Sequence, residues 1–477
     1  MKNRVCRHLL QLVCLALLVV AGGCLFVWRI RAVFPEREEA REMLTAAVMA
    51  EAREVTGWPV GVCTERTLFH VVAGGFARFV GEGEGPYPSR CYRVVPVIFG
   101  VLLMVGFYGL GVRRNGGIIE TDDGLFWGVA FVGLLFGLVG HGVVFGPQLF
   151  EALLFLGVMV AARSYVSWPG YMSAGVFGGA LAVLLSVDVR VGLLAVGFLP
   201  AVAVGAGWRR LCLYWQGTHV LLAVVVALAV GAPLVRLGLG GAGGGLDYHW
   251  MMGGWPVWRE VLWRHGWLCG GGFGIVGWAV LLVWCWLRAD RRWARFLVIF
   301  FPFVVVLALG MERHSALGVL LLLLSAVIMG CALSVVHRGW LRGVMGGVTV
   351  LALGVGVGWA PEGRSHHWLP REVGRENVRL LRGALETPQR WGCRMRVAGG
   401  DLVACAQLIW PMRGEVASVA WGEEVVADAD ILVVAEPLWE GVSPAVEQYR
   451  RPGTLLLGDG GRYRVYAPKS RQLKEES

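Results

Sequence analysis

Long apolar runs alternate with short charged segments along most of this chain. Most of these runs approach or exceed the roughly 20 residues that a helix needs to cross the hydrocarbon core of a bilayer. The predicted spans, about eleven in number, cover residues 9–28, 94–112, 124–141, 148–162, 170–187, 190–207, 213–235, 268–287, 296–310, 315–336 and 343–360. The pattern therefore predicts an α-helical, multi-span membrane protein.

Positive charge lies at alternate ends of these predicted spans. Arginine pairs such as Arg113-Arg114 and Arg209-Arg210 fall in one set of loops, whereas the short loops of the other set hold at most one arginine, such as Arg190 or Arg313. Arginine-rich loops stay in the cytoplasm. We therefore expect an inner (plasma) membrane protein with a cytoplasmic N-terminus. The first apolar run is long and no clean cleavage site follows it, so it is predicted to be a retained signal anchor.

Two polar regions complete the predicted organisation. Residues 29–93 form a long extracytoplasmic loop within the membrane domain, 1–360. Two of its segments, Glu38–Met49 and Thr67–Val80, are amphipathic and are expected to lie along the membrane surface. Residues 361–477 are predicted to form a small extracytoplasmic α/β domain.

The evidence for the C-terminal domain is a change in pattern after Ala360. Arg371–Glu386 and 402–410 are predicted helices, and Ile431–Ala435 is a short apolar run typical of a buried strand. Two further apolar runs, 454–457 and 463–466, flank a glycine-rich turn and predict a hairpin.

Composition excludes several classes of function. The chain is 56% hydrophobic and carries a net charge of +10, but its arginines are dispersed at span ends, which argues against nucleic acid as a partner. The eleven cysteines include no CxxC pair, which argues against a zinc site. Cys63 with Cys91, and Cys393 with Cys405, are each compatible with a disulfide or with free thiols.

Acidic and histidine residues near the spans lie mainly at their outer ends. They are Glu38, Glu39, His141, Glu151, Asp188, Asp247, His249, Glu312 and His314. Ionisable groups at membrane depth are costly and are usually functional. Their placement on one side predicts a shared polar site facing the outside.

Each candidate also has a structural explanation. Glu38 and Glu39 fit a general base or a metal ligand, or else a solvated charged helix, since neighbours such as Glu42 are also charged. Glu151, one turn into a span, is either a paired functional carboxylate or a first-turn residue stabilised by the helix dipole.

The later outer loops leave similar alternatives open. Arg313-His314 fits a phosphate site or a polar connector. Asp247 and His249 precede a tryptophan series that fits either sugar stacking or anchoring at the bilayer interface.

The order of these motifs resembles the GT-C membrane glycosyltransferases, above all the protein-mannosyltransferase and lipid A aminoarabinose-transferase group. The matching features are the acidic segment Glu38–Leu44 after the first span, Arg90 or Arg93 before the second, Glu151 at the fourth, and Arg313-His314 late in the chain. The resemblance covers roughly residues 1–340. In the tail, Leu408–Trp421 followed by Ala427–Ile431 resembles the C-terminal domain of flippase-activity-associated proteins.

The resemblance implies transfer of a sugar from a polyprenyl-phosphate donor to an extracytoplasmic lipid, glycan or protein. Glu38 or Glu39 would then be the base, and Glu151 would orient the acceptor or help to hold a divalent cation, although no cofactor is certain. The expected substrate-binding residues are His141, Arg190, Asp247, His249, Arg313 and His314. The expected partners are this lipid-linked sugar and membrane lipid. A catalytically degenerate scaffold and a transporter are the alternatives.

Overall fold

The structure is a computed structural model. It describes residues 9, 13, 16, 20, 42, 43, 45, 46, 49, 68–80, 89–115, 118–121, 145–187, 217–237, 394–398, 416–419, 430–435, 449–456 and 462–468. Predicted features elsewhere lie outside the described residues. They include the spans 124–141, 190–207, 268–287, 296–310, 315–336 and 343–360, and the two C-terminal helices. The side chains of both cysteine pairs also lie outside the described part.

The described helices form around the longest apolar runs of the N-terminal half. They are α1 (Leu68–Val80), α2 (Ser89–Gly111), α3 (Gln148–Ser167), α4 (Tyr171–Val187) and α5 (Gly217–Arg236). Helices α2 to α5 confirm the helical character of the predicted spans 94–112, 148–162, 170–187 and 213–235. Within the described residues, length and apolar composition are sufficient for a membrane crossing in α5, and only 6% of that stretch is buried by protein.

Helix α3 begins and ends with well-defined backbone geometry. Pro147 precedes its first turn, where a missing N–H costs nothing, and the Glu151 N–H donates to the Pro147 carbonyl at 2.9 Å. At the other end, Ser173 Oγ donates to the Trp168 carbonyl at 2.8 Å and accepts from the Gly170 N–H at 3.1 Å. These bonds hold the tight turn that brings α4 back along α3.

Neighbouring helices pack in sequence order, α1 on α2, α2 on α3, α3 on α4 and α4 on α5. Helices α2 and α3 run parallel, because Phe99 meets Phe150 at a ring distance of 5.1 Å while Gly106 meets Leu156 further along both helices.

Helices α4 and α5 also run parallel. Tyr171 meets His219 at their start, and Ala182 meets Gly231 near their end. A parallel pair of membrane helices requires an odd number of crossings between them, which is the arrangement that the predicted spans 124–141 and 190–207 would give.

Glycine allows the closest helix approach in this bundle. A Cβ atom at Gly178 would overlap the backbone of Ala223 in α5, and one at Gly106 would lie 2.6 Å from Leu156 Cδ2 in α3. Without side chains at these positions the helix axes come close, which is the usual means of helix association in lipid.

A short hairpin follows α2. Strands β1 (Val112–Asn115) and β2 (Ile118–Thr121) pair in antiparallel fashion, with Arg113 opposite Glu120. The basic residues alone predict only a cytoplasmic loop here. The sequence signal for the hairpin is Gly116-Gly117, a dipeptide typical of two-residue hairpin turns, between the paired residues Asn115 and Ile118.

The C-terminal region contains a five-stranded mixed sheet of order β4-β3-β5-β7-β6. Its strands are β3 (Arg394–Ala398), β4 (Val416–Val419), β5 (Asp430–Ala435), β6 (Tyr449–Leu456) and β7 (Arg462–Pro468). Strands β3, β4 and β5 are parallel, whereas β6 and β7 form an antiparallel hairpin beside β5.

Two predictions for this region are confirmed and two strands were missed. Strand β5 contains the predicted run 431–435, and β6 with β7 is the predicted hairpin. Strands β3 and β4 are not predicted from the sequence. Parallel strands require crossover connections, as expected of an α/β domain.

Candidate functional site

Five aromatic side chains form a buried cluster that joins α1 to the starts of α2 and α3. The members of this aromatic cluster are Phe69, Tyr92, Phe99, Phe145 and Phe150, each at most 7% exposed. Phe69 is central, with its ring centroid 5.0 Å from that of Phe145 and 6.0 Å from that of Phe150. Tyr92 packs edge-on against Phe145 at 5.5 Å. The cluster fixes these helix ends relative to one another.

Three buried ionisable residues adjoin this cluster directly in sequence. His70 follows Phe69, Arg93 follows Tyr92 and Glu151 follows Phe150, and their exposures are 2%, 1% and 6%. Burying such groups costs free energy unless they are paired or hydrogen-bonded. Three different helices therefore each place a buried ionisable residue at the same end of the bundle.

His70 is hydrogen-bonded to a residue of the acidic segment. Its Nε2 lies 2.5 Å from Oε2 of Glu42, and the two side chains are 2% and 21% exposed, respectively. Glu42 and the described residues Met43, Thr45 and Ala46 are helical, and the last three are at most 1% exposed. The Glu42 carboxylate is therefore held by a buried partner from α1. The choice between a functional and a solvated role for Glu38 and Glu39 lies outside the described residues.

Of the predicted site residues, Glu151 is the one that the structure describes. It lies in the first turn of α3 and is buried, so it does not face bulk water. The others lie outside the described residues, and their positions stay predictions. They are Glu38, Glu39, His141, Arg190, Asp247, His249, Arg313 and His314.

The sequence alone does not single out His70 as a site residue, and it does not choose between Arg90 and Arg93. The structure buries Arg93 at the aromatic cluster. A signal for His70 was present, since it is a lone ionisable group on the stripe of α1 that carries Phe69, Ala73 and Ala77, all fully buried. Without knowledge of which stripe faces the bundle, that position could not be singled out.

The opposite end of the bundle holds a different group. His219, in the first turn of α5, packs edge-on against Tyr171 at 4.8 Å and against Tyr165 at 6.0 Å. Its Nδ1 is buried and makes no hydrogen bond within the described part of the chain. Along α3, Tyr165 lies about 21 Å from Glu151 at 1.5 Å per residue, so the two ends are separate regions.

Metal binding is not indicated within the described ranges. No three His, Cys, Asp or Glu residues among them converge in a way that could hold an ion. The Glu42–His70 pair supplies two of the usual ligand types at most. The divalent cation that the resemblance left open stays a prediction that involves residues elsewhere in the chain.

The chain is similar in structure to ArnT from Cupriavidus metallidurans, whose crystal structure is in the apo state. The TM-score is 0.56 at 15% sequence identity, and the match covers 94% of this chain and 97% of that one. No protein-family model matches the chain, and no curated protein matches it.

At this identity the likeness shows the fold alone. ArnT is a multi-span membrane protein of the GT-C fold, so the predicted GT-C-like, multi-span architecture is confirmed at that level. The likeness does not decide between the aminoarabinose-transferase-like, mannosyltransferase-like and flippase-associated subgroups.

Proposed function

We propose that this protein is an inner-membrane glycosyltransferase. It takes a sugar from a polyprenyl-phosphate donor and transfers it to an acceptor on the extracytoplasmic face. The observation that carries the proposal is the set of buried ionisable residues at one end of the bundle, His70, Arg93 and Glu151, in a chain with a GT-C-like fold. ArnT is an aminoarabinose transferase that uses a lipid-linked donor, so a lipid-linked sugar is the donor class we propose for this chain.

The arginine pattern predicts that this polar end faces outward. Span 94–112 is predicted to begin outside, and so is span 148–162. Arg93 and Glu151 lie at the starts of the corresponding helices, α2 and α3, which run parallel. Both would then lie at the outer headgroup level, where the phosphate of a polyprenyl donor is held.

The chemistry proposed is a displacement at the anomeric carbon. An acceptor oxygen forms a bond to that carbon, the bond to the lipid phosphate breaks, and polyprenyl phosphate leaves. The acceptor proton passes to a carboxylate of the segment 38–44. Cationic groups stabilise the departing phosphate, and Arg93 joins Arg190 and Arg313 as a candidate for this role.

The remaining predicted residues complete the proposed site. Glu151 orients the acceptor, and His141, Asp247, His249 and His314 bind the donor or acceptor. The C-terminal α/β domain, 361–477, lies outside the membrane in this proposal.

Turnover of defined donors tests the function. The purified protein is incubated with a panel of undecaprenyl-phosphate sugars in lipid nanodiscs, and released undecaprenyl phosphate is quantified by mass spectrometry. In parallel, envelope glycans and lipid-linked sugars of a deletion strain are compared with those of the parent. We expect one donor to be consumed in vitro and to accumulate in the deletion strain. If no donor is consumed and the glycans change, the catalytically degenerate scaffold replaces the enzyme. Donor flux without transfer would favour the transporter.

A further inference from the structure

The acidic segment 38–44 contains three glutamates, of which Glu42 is the one within the described residues. We infer that Glu42 is the carboxylate that accepts the proton of the acceptor hydroxyl, with His70 as its positioning residue. This inference rests on the proposed function and narrows it, because Glu38 and Glu39 were the candidates from sequence.

The exposed fractions of the two side chains show which of them an acceptor approaches first. The His70 side chain is 2% exposed, whereas the Glu42 side chain retains 21% exposure. The carboxylate is therefore the more accessible of the two groups to an acceptor. His70 lies behind Glu42 and acts through it.

The packing around His70 fixes the direction of its bond to Glu42. Its ring meets Phe69 edge-on at 5.3 Å with an interplanar angle of 68°, and Phe69 is the centre of the aromatic cluster. The imidazole Nε2 is directed to Glu42 Oε2, which leaves Oε1 to receive a proton. A base held in one orientation reacts faster than a mobile one, since its orientational entropy is already lost.

The helix that carries Glu42 is also held from behind. Met43 and Ala46 are fully buried and Thr45 is 1% exposed, so the backbone at Glu42 is held by contacts on its protein side. A surface ion pair on a mobile helix lacks this support. The pair thus combines a helix packed against the protein with a partner that holds the carboxylate in one orientation, as a positioned base requires.

In the proposed step, the acceptor oxygen attacks the anomeric carbon as its proton moves to Glu42 Oε1. The sugar–phosphate bond breaks, and the electron pair leaves with the polyprenyl phosphate. Glu42 then returns the proton to water. His70 keeps its hydrogen bond to Oε2 throughout and exchanges no proton with the substrate.

The test compares Glu38→Gln, Glu39→Gln, Glu42→Gln and Glu42→Ala with Val72→Ala, an exposed-site control on α1. Single-turnover release of undecaprenyl phosphate is measured with the donor that the wild-type protein consumes. Undecaprenyl phosphate affinity and Tm are measured separately. We expect Glu42→Gln to lower the rate constant about 10²–10⁴-fold, the range typical of general acid–base catalysis, with affinity nearly unchanged. Formate should partly restore Glu42→Ala, which a structural ion pair would not explain.

His70→Gln tests the positioning role, because glutamine keeps an N–H donor near the Nε2 position. It should retain more activity than His70→Phe, and both should affect kcat rather than KM. Full activity per folded molecule in Glu42→Gln, or a loss confined to Glu38→Gln or Glu39→Gln, would overturn the inference while leaving the glycosyltransferase intact. A wild-type protein that consumes no donor would instead remove the proposed function itself.

Discussion

Glu151 has one of the least hydrated carboxylates among the described residues, and its position admits two roles. It lies in the first turn of α3, where the helix dipole favours a negative charge. It also adjoins Phe150 of the aromatic cluster and starts a helix parallel to the one that carries Arg93. A dipole contact alone needs no burial, whereas a substrate-orienting group in a bundle does.

We predict that Glu151→Gln lowers sugar transfer at least tenfold while changing Tm little, because glutamine keeps the shape and loses the charge. Transfer is measured with the donor consumed by the wild-type protein, and Tm by intrinsic fluorescence. The control is Leu149→Met, a volume-conserving change two residues before Glu151. The dipole explanation predicts the reverse, a loss of about 0.3–1 kcal/mol of stability with full activity.

The sequence predicted which types of residue matter, but not always which individual residue of each type. Glu151 was singled out because a carboxylate inside an apolar run is conspicuous. Glu42 was not, because its segment is charged throughout. His70 was not, because the sequence does not show which stripe of α1 faces the bundle. Their pairing joins residues 28 positions apart, and it depends on the faces that two helices present to each other.

The amphipathic pattern of α1 correctly predicts a helix, but it does not show which face of that helix contacts the bundle. The predicted helix 67–80 is confirmed as Leu68–Val80. The apolar face predicted from the sequence is exposed at Val71, Val72 and Phe79 and half-buried at Leu68 and Phe76, and the protein-facing stripe is made of Phe69, His70, Ala73, Gly74 and Ala77. Both sides of the helix are therefore largely apolar.

This exposed face supports the expectation that α1 lies at the membrane surface. Phe79 is 88% exposed, and neighbouring Val72 and Val80 are exposed as well. We predict that spin labels at Val72 and Phe79 in nanodiscs will be more accessible to oxygen than to a water-soluble nickel reagent, as in the headgroup–acyl boundary. A label at Ala73, on the buried stripe, is the control and should be shielded from both. Free access of the nickel reagent to Phe79 would place the helix in water.

The contact between α4 and α5 gives a second prediction for the elements. Gly178→Ala should destabilise the protein by about 1–3 kcal/mol, because the new methyl group overlaps the Ala223 backbone and forces the helices apart. Gly157→Ala is the matched control, since no atom lies within 4 Å of its added Cβ. By helix propensity alone it should be neutral or stabilise by up to about 1 kcal/mol. Equal Tm values for the two variants would mean that α4 and α5 are not in close contact.

Element boundaries followed the apolar runs closely where the run alone decides the structure. The predicted span 170–187 and α4 (Tyr171–Val187) differ by one residue. Helix α3 extends past the predicted end at 162 to Ser167, through the polar residues Arg163 and Ser164. Strands β3 and β4 were missed because each is short and pairs only with strands distant in sequence, so local periodicity contains little information about them.

For the molecule as a whole, the parallel helix pairs bear on orientation. The arginine pattern predicts that α2 and α3 both start outside, and that α4 and α5 both start inside. The observed pairing has the required directions. It also puts the aromatic cluster and its buried ionisable residues at one end, and the exposed Trp168 and Met172 of the α3–α4 turn at the other. The directions alone do not tell which end is outside.

Reporter fusions decide that question, and with it the location of the site. We predict that alkaline phosphatase is inactive after Arg114 and Arg292 and active after Ser477, whereas a fluorescent protein gives the opposite pattern. The reason is that inner loops hold the arginine groups, and about eleven spans from a cytoplasmic N-terminus end outside. A fusion after Val187, at the end of α4, is the independent check and should be active with phosphatase. If Val187 and Ser477 both report the cytoplasm, Glu42, Arg93 and Glu151 face inward. A lipid-linked donor displayed on the outer leaflet could then not reach them, and the proposed reaction would fail on geometry alone.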